Sequence, residues 1–430
     1  MGSDLEVRPR SGSHPGLAIG GAVAVTLPAI LVRLSGAEPD PLLAAVMFGL
    51  AVVGAAFLLA WGAEVVQLDV SAGLAIAMLA LVAVLPEYAV DFVFTWKAGK
   101  DPAKYAPDAL ANMTGGNQLL IGVGWSMVVL IAAWRITKMR RRETPDVQLS
   151  EADTEVALPR THTVEIAFLV LATIYGLTLP LHRTLLLFDS FVLVSLFVWY
   201  LVRVARAPTE EPHLVGPAAA IGTLPTAKRR AVVVALFLGA VVVILLAAEP
   251  FAEALVHTGE KFNIDDFLLI SLVAPLASEA PELLVAGLFA WRLQADTGLA
   301  ALVSSKVNQW TLLVGSLPLV FAISSGTLHG LPIDAVQREE LFVTAAQSAF
   351  AVAVLANRRI NVTEAATMLG LFLVQLATKL PLFAPIHAGA RITVGCVYLV
   401  LAAVILFRNR AAMPGLMRDG LRAPYTQLVE

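Results

Sequence analysis

This sequence has few charged residues, a single cysteine and no excess of basic side chains. Only 15% of the 430 residues are charged, whereas about 25% is usual in soluble globular proteins. Hydrophobic residues make up 58% and the mean hydropathy is +0.78, which excludes a disordered chain and a soluble enzyme with one membrane anchor. The single cysteine, Cys396, excludes a disulfide scaffold, and a net charge of −3 gives no basis for nucleic-acid binding.

Motifs of intramembrane enzymes are also missing. The seven histidines lie in loops, tails or span ends, and neither His-Glu-x-x-His nor Gly-x-Ser-x-Gly occurs. We therefore expect a protein that is not an enzyme and that has no cofactor apart from a transported cation. The first apolar run, residues 17–34, has no Ala-x-Ala cleavage site and is followed by further apolar runs, so we expect no signal peptide.

Long apolar runs recur along the whole chain. A bilayer core about 30 Å thick requires about 20 apolar residues per helix, and on that scale we predict about twelve spans in an all-α polytopic membrane protein. The predicted spans are 16–34, 41–67, 70–95, 108–134, 162–181, 183–205, 230–256, 264–291, 298–322, 338–357, 362–383 and 388–408.

Basic residues predict the orientation of the spans. Five basic clusters fall on one side of the membrane if both termini are cytoplasmic, and only the lysines of the 96–107 loop lie opposite. We expect a multi-pass protein of the cell membrane whose partners are the lipid bilayer and transported cations. The cytoplasmic loops 143–160 and 206–227 are polar or rich in Pro and Gly and are predicted to be flexible linkers.

The two halves of the chain resemble each other. Pro281-Glu282 follows Pro86-Glu87 by 195 residues, and Asn308-Gln309 follows Asn117-Gln118 by 191 residues. The predicted orientation makes the two copies run in opposite directions, as in the inverted repeats of transporters. We therefore predict the following organisation: an N-terminal tail, 1–15; an additional helix, 16–34; the first repeat, 41–205; a linker, 206–229; the second repeat, 230–383; an additional helix, 388–408; and a C-terminal tail, 409–430.

Two carboxylates lie deep inside predicted spans. Glu87 and Glu282 each follow a proline, which removes one helical hydrogen bond and frees a carbonyl, here that of Val82 or Ala277; Pro275 would free the carbonyl of Ser271 in the same way. An ionised carboxylate at a helix centre costs about 2.5–3.5 kcal/mol and usually marks an ion path. Carboxylates beside free carbonyls form the oxygen ligand set that Ca²⁺ and Na⁺ prefer.

The next helix of each half supplies polar partners. Asn112 and Asn117 flank a Gly-Gly pair that allows close backbone approach, and the second copy places Ser305, Lys306 and Asn308 in the same region. Any one of these polar residues could instead hydrogen-bond a neighbouring helix. We favour this interpretation for Gln118 and Gln309. A structural ion pair is the alternative for Glu87 and Glu282.

Other acidic residues receive weaker assignments. Asp91 lies one turn after Glu87 and could support the site or relay protons, although its counterpart is Ala286. The acids near predicted span ends are expected to be solvated: Glu64, Glu165, Glu249, Glu253, Asp265, Asp266, Glu340 and Glu364.

These residues resemble the Ca²⁺/cation antiporter superfamily, in particular the membrane region of sodium/calcium exchangers. Pro86-Glu87 and Pro281-Glu282 match the Pro-Glu part of the family's Thr-Ser-x-Pro-Glu pattern. Residues 111–117 match Gly-Asn-x-x-Gly-Ser-Asn, with Ala for the first Gly and Gly for Ser. The resemblance, which covers the four repeat helices, implies that Glu87 and Glu282 are the central cation ligands, assisted by Asn112 and Asn117. It also implies alternating access.

The sequence departs from the family pattern at three places. Ala83-Val84 replaces the Thr-Ser pair of the first copy, Ser278-Glu279 adds a carboxylate in the second, and Lys306 replaces a glycine. A buried lysine requires a partner. We hypothesise that Glu279 and Lys306 neutralise each other, which leaves a formal charge of −2 on Glu87 and Glu282, and that the tethered ammonium favours proton coupling over several sodium sites.

The sequence thus predicts a secondary-active antiporter that exchanges Ca²⁺, or a related cation, for H⁺ or Na⁺. The predicted ligands are Glu87, Glu282, Asn112, Asn117, Asn308 and Ser305, and the predicted coupling or supporting residues are Glu279, Lys306, Asp91 and Ser278. A monovalent Na⁺(K⁺)/H⁺ antiporter on the same scaffold is the alternative. A membrane scaffold with degenerate repeats would keep the fold without ion transport.

Overall fold

The computed structural model describes residues 15–69, 85–143, 150–207, 214, 216–262, 266–380 and 387–428. Some sequence predictions therefore lie outside the described residues. They include the N-terminal tail, the start of the 70–95 span with the Val82 carbonyl and the Ala83-Val84 pair, parts of both linkers, Asp265, and the ends of the 362–383 span and of the C-terminal tail.

The described residues are mainly helical. The helices before the linker are α1 Pro15–Ala24, α2 Leu27–Ser35, α3 Pro41–Val66, α4 Leu85–Lys100, α5 Pro102–Leu119, α6 Ser126–Glu143, α7 Thr163–Gly176 and α8 Leu187–Val204. Those after it are α9 Pro217–Gly222, α10 Thr226–Phe262, α11 Asp266–Trp291, α12 Ala295–Asn308, α13 Val314–Ser325, α14 Ala335–Leu355, α15 Val362–Ala377, α16 His387–Arg408 and α17 Met413–Arg422. Two π-helical segments, Leu120–Trp125 and Gln309–Leu313, join α5 to α6 and α12 to α13.

Short side-chain caps explain where several helices begin. Asp40 accepts a hydrogen bond from the Leu42 amide at the start of α3, and Asp334 accepts one from Gln337 at the start of α14. Asn361 and Glu364 form a reciprocal capping box on α15. The predicted span 16–34 is divided into α1 and α2 because Pro28, within the first turn of α2, lacks the N–H that would continue α1.

Nine helical stretches among the described residues are long and apolar enough to cross a membrane. Three predicted spans are not among them: 70–95 lies partly outside the described ranges, 338–357 carries three charged residues near its start, and 362–383 contains a helix of 16 residues. The polytopic helical fold is confirmed, whereas the count of twelve spans stays a prediction.

Contacts between distant parts of the chain hold the helices together. Helix α3 packs along α10, α14 along α16, and α5 against α4 and α11. At the junction of α3 and α10, Asp69 accepts two bonds from Arg229, at 2.8 and 2.9 Å, and one from Arg230. These guanidinium groups lower the pKa of the Asp69 carboxyl to about 2.

Two antiparallel strand pairs join loops of the two halves. Strand β1, Val156–Ala157, pairs with β4, Arg359–Ile360, and β2, Thr184–Leu185, pairs with β3, Leu331–Pro332. Because each pair takes one strand from each half, the loops themselves connect the halves.

The predicted C-terminal tail contains a helix that packs on the bundle. Gly420 of α17 lies against the Thr163 carbonyl at the start of α7. Arg203 at the end of α8 donates hydrogen bonds to the carbonyls of Gly420, at 3.2 Å, and Ala423, at 2.7 Å.

Candidate cation site

Four helices bring the predicted site residues together. Helices α4 and α11 carry the carboxylates, and α5 and α12 carry the amides. The close approach of α5 to α11 depends on Gly115, because a Cβ added there would overlap the Ser271 carbonyl oxygen. Pro275 has no N–H to bond that carbonyl, so a helical carbonyl without its usual partner lies against a glycine.

The second glycine of the pair lies next to a carboxylate. A Cβ added at Gly116 would be 3.3 Å from Glu87 Oε1 and 3.6 Å from the Cβ of Pro275. The close backbone approach predicted for the Gly-Gly pair is therefore confirmed at Gly115, whereas Gly116 lies against side chains. It places Asn112 and Asn117 on either side of the point where α5 contacts α4 and α11.

The carboxylates form an interacting group. Glu87 and Glu279 are buried, with 4% and 3% exposure, and Glu282 is partly buried. Glu87 interacts electrostatically with Glu279, Asp91 and Glu282. Among the described residues no lysine or arginine forms a salt bridge with these three glutamates. The arrangement thus differs from the alternative of a permanent structural ion pair.

Asp91 orients one of the predicted amide ligands. The Nδ2 of Asn112 donates to Asp91 Oδ1 at 2.9 Å, and both residues are buried. The Oδ1 of Asn112 has no hydrogen-bond partner within the described residues. The Asp91 contact therefore leaves the amide oxygen of Asn112, the atom that could bind a cation, without another bond.

Lys306 lies on the other predicted asparagine ligand. Its Nζ donates to Asn117 Oδ1 at 2.6 Å and to the Asn117 carbonyl oxygen at 3.2 Å. The ammonium also lies 4.6 Å from the centre of the Trp310 ring. A fully buried lysine is thus held by two neutral oxygens and an aromatic face.

The hypothesis that Glu279 and Lys306 neutralise each other stays a prediction, although the two side chains form no salt bridge within the described residues. Glu279 accepts a hydrogen bond from Gln309 Nε2, and Lys306 interacts with Glu279 and Glu87 only through longer-range electrostatics. Gln309 is three residues after Lys306, so the two side chains project from the same face of the helix. The shorter amide side chain reaches Glu279, and the lysine extends to α5 instead.

The remaining predicted residues differ in how far they join this group. The Oδ1 of Asn308 accepts a bond from the Tyr88 hydroxyl at 3.0 Å, and the Ser305 hydroxyl lies beside Glu282. Ser278 bonds back to its own helix, at the carbonyls of Ala274 and Pro275. Of the ten predicted residues, Ser278 is the one whose hydrogen bonds stay within its own helix.

Carboxylates alone do not form a metal-binding cluster in this arrangement. The described part of the chain contains no group of three or more His, Cys, Asp or Glu side chains that could hold a metal ion. A cation bound here would therefore also need the amide, hydroxyl and carbonyl oxygens of α5, α11 and α12.

The predictions for two acids near span ends are wrong. Glu165 and Glu340, which were expected to be solvated, are 6% and 0% exposed, whereas Glu249 and Glu253 are exposed as expected. Glu340 forms a buried ion pair with Lys379 at 3.1 Å. Sequence position within a span cannot reveal this, because burial depends on which neighbouring helix covers the residue.

Comparison with known proteins identifies the family of this chain. The family model described as "Sodium/calcium exchanger protein" matches residues 41–205 and 232–380. A search of curated proteins returns no significant match.

Solved structures give further matches. The crystal structure of the H⁺/Ca²⁺ exchanger CAX is 40% identical, with a TM-score of 0.86, and the match covers 96% of this chain and 98% of that one. The Ca²⁺/H⁺ antiporter YfkE, in selenium-substituted form, is 13% identical with a TM-score of 0.57 over 90% of this chain and 99% of its own, which shows likeness of fold. The chain is therefore a multi-pass membrane protein that belongs to the sodium/calcium exchanger family of the Ca²⁺/cation antiporter superfamily.

Proposed function

We propose that this protein is a secondary-active antiporter that exchanges Ca²⁺, or a related divalent cation, for protons by alternating access. The observation that carries the proposal is a group of three interacting glutamates from two proline-containing helices, Glu87, Glu279 and Glu282, inside the helix bundle. Ionised carboxylates in this position are tolerable only with compensating positive charge. Either a divalent cation or protons supply that charge, so the two compete for the same oxygens.

The hydrogen bonds around the glutamates support the choice of ligands. Asn112 is oriented by Asp91, Ser305 lies beside Glu282, and the Ser271 carbonyl lies at the α5 contact. These neutral oxygens supplement the carboxylates, as Ca²⁺ coordination by six to eight oxygens requires. The amide oxygens of Asn117 and Asn308 already accept hydrogen bonds, from Lys306 and Tyr88 respectively.

Lys306 supports a proton rather than sodium as the counter-ion. Its ammonium is bound by the Oδ1 and the backbone oxygen of Asn117, which are neutral ligands of the kind that a monovalent cation would take. In our proposal this fixed positive charge occupies the Asn117 position, so Na⁺ does not bind there. Proton release from the glutamates then provides the coupling.

The internal repeat supports alternating access. A π-helical segment begins shortly after the Asn117-Gln118 pair in one half and within the Asn308-Gln309 pair in the other. We propose that residues 41–205 and 230–383 act as inverted repeats around the glutamates. We also propose that the protein lies in the cell membrane with both termini cytoplasmic, as the basic clusters predict. It acts as a transporter and not as an enzyme.

Radioactive Ca²⁺ uptake into proteoliposomes tests the function. We expect a pH gradient to drive uptake and a Na⁺ gradient to have no effect. Glu87→Gln and Glu282→Gln should each reduce uptake to the level of empty vesicles, because either substitution removes a charge that the cation needs. Glu253→Gln is the matched control, since Glu253 is exposed and pairs with Lys97.

The same vesicles decide between the candidate functions. Na⁺ or K⁺ exchange for H⁺ without Ca²⁺ uptake would establish the monovalent antiporter instead. The absence of any cation flux under both gradients would contradict transport altogether.

A further inference from the structure

A second buried ionic group lies outside the cation site, between α14 and the residues that follow α15. The Nζ of Lys379, directly after α15, is 3.1 Å from Glu340 Oε2 on α14, and the two side chains are 4% and 0% exposed. Glu340 lies five residues after the first residue of α14, about 8 Å along the helix. This is the end of α14 remote from the basic turn at Arg358 and Arg359. Ionisable residues buried in a membrane protein usually mark a path for ions or protons.

One side chain links this pair to the cation site. The Nε2 of Gln118 donates to Glu340 Oε2 at 3.0 Å and to Thr344 Oγ1 at 2.7 Å, and its Oε1 lies 3.5 Å from Lys379 Nζ. Gln118 directly follows Asn117, which holds Lys306. The contacts of the Glu340–Lys379 pair and the contact of Lys306 therefore meet at two adjacent residues of α5, Gln118 and Asn117.

The surroundings of the pair contain buried polar atoms without hydrogen bonds. Within the described residues, Glu340 Oε1, Gln347 Oε1, Ser348 Oγ and both amide atoms of Gln375 have no partner, and Tyr398 lies beside Gln347. Most buried polar atoms in proteins are paired with protein or water. These amides and hydroxyls lie on α14, α15 and α16, and the Nε2 of Gln347 donates to the Gln118 carbonyl at 3.2 Å. Buried polar groups of this kind fit a hydrated proton path better than a packed apolar interface.

The charge balance of the pair selects a proton over a metal ion. One carboxylate and one ammonium have no net charge, and the Gln118 amide directs a donor N–H at the carboxylate, which is unfavourable for a divalent cation. The other buried charged side chains on helices packed against α14 are Asp108, Glu165 and Arg391, and Arg391 pairs with Glu339 at 2.8 Å.

We propose that Glu340 is a proton-relay residue for the counter-ion half of the exchange. The proton enters from the aqueous side at that end of α14, binds the Glu340 carboxylate and weakens its ion pair with Lys379, which keeps its own proton. It then leaves through the polar side chains beside Gln118 to a carboxylate of the cation site, and Glu340 pairs with Lys379 again. This inference rests on the proposed Ca²⁺/H⁺ exchange.

Two flux modes separate a relay from a structural pair. Exchange of radioactive for unlabelled Ca²⁺ needs no net proton transfer, whereas uptake driven by a pH gradient does. We expect Glu340→Gln to reduce pH-driven uptake at least tenfold and to leave Ca²⁺ self-exchange within twofold of the wild type. Glu339→Gln is the matched control, because it changes the adjacent carboxylate of α14, which pairs with Arg391 and has no bond to Gln118.

A conservative variant keeps the proposal testable if Glu340→Gln folds poorly. Glu340→Asp retains a carboxyl and should restore pH-driven uptake with a shifted pH profile. Equal loss of both flux modes in these variants, or no loss in Glu340→Gln, would overturn the relay and leave Ca²⁺/H⁺ exchange intact. Absence of pH-driven uptake in the wild type would overturn the proposed function and the relay together.

Discussion

At the scale of single residues, Lys306 limits the charge of the site in the proposed mechanism. Its ammonium has no exposure to solvent and lies on Asn117, within electrostatic range of Glu87 and Glu279. In the proposed mechanism this side chain keeps its proton and adds one positive charge that does not exchange with solvent ions. The three glutamates therefore need less positive charge from bound cations or protons than they would need without this lysine.

Lys306→Ala should change the ion preference of the exchanger. Without the ammonium, Asn117 presents two neutral oxygens next to uncompensated carboxylates, so we expect Na⁺ to bind and to compete with Ca²⁺. Competition should raise the Ca²⁺ concentration at half-maximal uptake about tenfold at high Na⁺, equivalent to about 1.4 kcal/mol. The measurement is Ca²⁺ uptake as a function of Na⁺ concentration.

A distant lysine provides the control for that measurement. Lys138→Ala removes the charge of a residue near the end of α6 and should leave uptake insensitive to Na⁺. Unchanged coupling and ion preference in Lys306→Ala would remove Lys306 from the mechanism.

Residue identity predicted one part of the site and missed another. The Pro-Glu and Asn-Gln pairs indicated which helices carry the carboxylates and amides. This was possible because an ionisable group in a membrane helix is costly, and its presence therefore indicates a function whatever the orientation of the helix. The partners of Lys306 and the burial of Glu340 could not be predicted, since they depend on the rotation of α12 and α14 about their axes. The contact of Tyr88 with Asn308 could not be predicted either, because an aromatic residue near the start of a helix can pack or hydrogen-bond in many ways.

At the scale of elements, the contact between α5 and α11 places the amides beside the carboxylates. Gly115 allows the contact, and Pro275 leaves the Ser271 carbonyl without a helical N–H partner there. Helix ends were predictable to within a few residues where caps or prolines mark them. The two π-helical segments could not be predicted, because the extra residue in one helical turn leaves no pattern in an apolar sequence.

Gly115→Ala should therefore destabilise the protein and weaken Ca²⁺ binding. The added methyl group overlaps the Ser271 carbonyl, and relief requires α5 and α11 to separate, at a cost of about 1–3 kcal/mol for overpacking. Thermal unfolding of the detergent-solubilised protein, with and without Ca²⁺, measures both effects.

The matched control is a glycine in open space. Gly239 on α10 has nothing within 4 Å of an added Cβ, so Gly239→Ala should have no effect or slightly raise the melting temperature. Equal melting temperatures for the Gly115 and Gly239 variants would contradict the role of the close contact.

At the scale of the whole molecule, the fold connects the two halves at several places. The strand pairs β1–β4 and β2–β3 each join loops of both halves, and Gln118 of the first half binds Glu340 of the second. Composition and apolar periodicity were sufficient to predict a polytopic helical protein. They were insufficient for the helix α17, because the tail carries no apolar run that would distinguish a packed helix from a solvated one.

The central claim is that Glu87 and Glu282 together bind a divalent cation in exchange for protons. Calorimetric titration of Ca²⁺ into the solubilised protein, in two buffers of different ionisation enthalpy, measures binding and proton release at once. We expect saturable binding with a buffer-dependent heat in the wild type, and no binding in the folded Glu87→Gln/Glu282→Gln double variant. Ca²⁺ affinity in that variant within twofold of the wild type would contradict the claim.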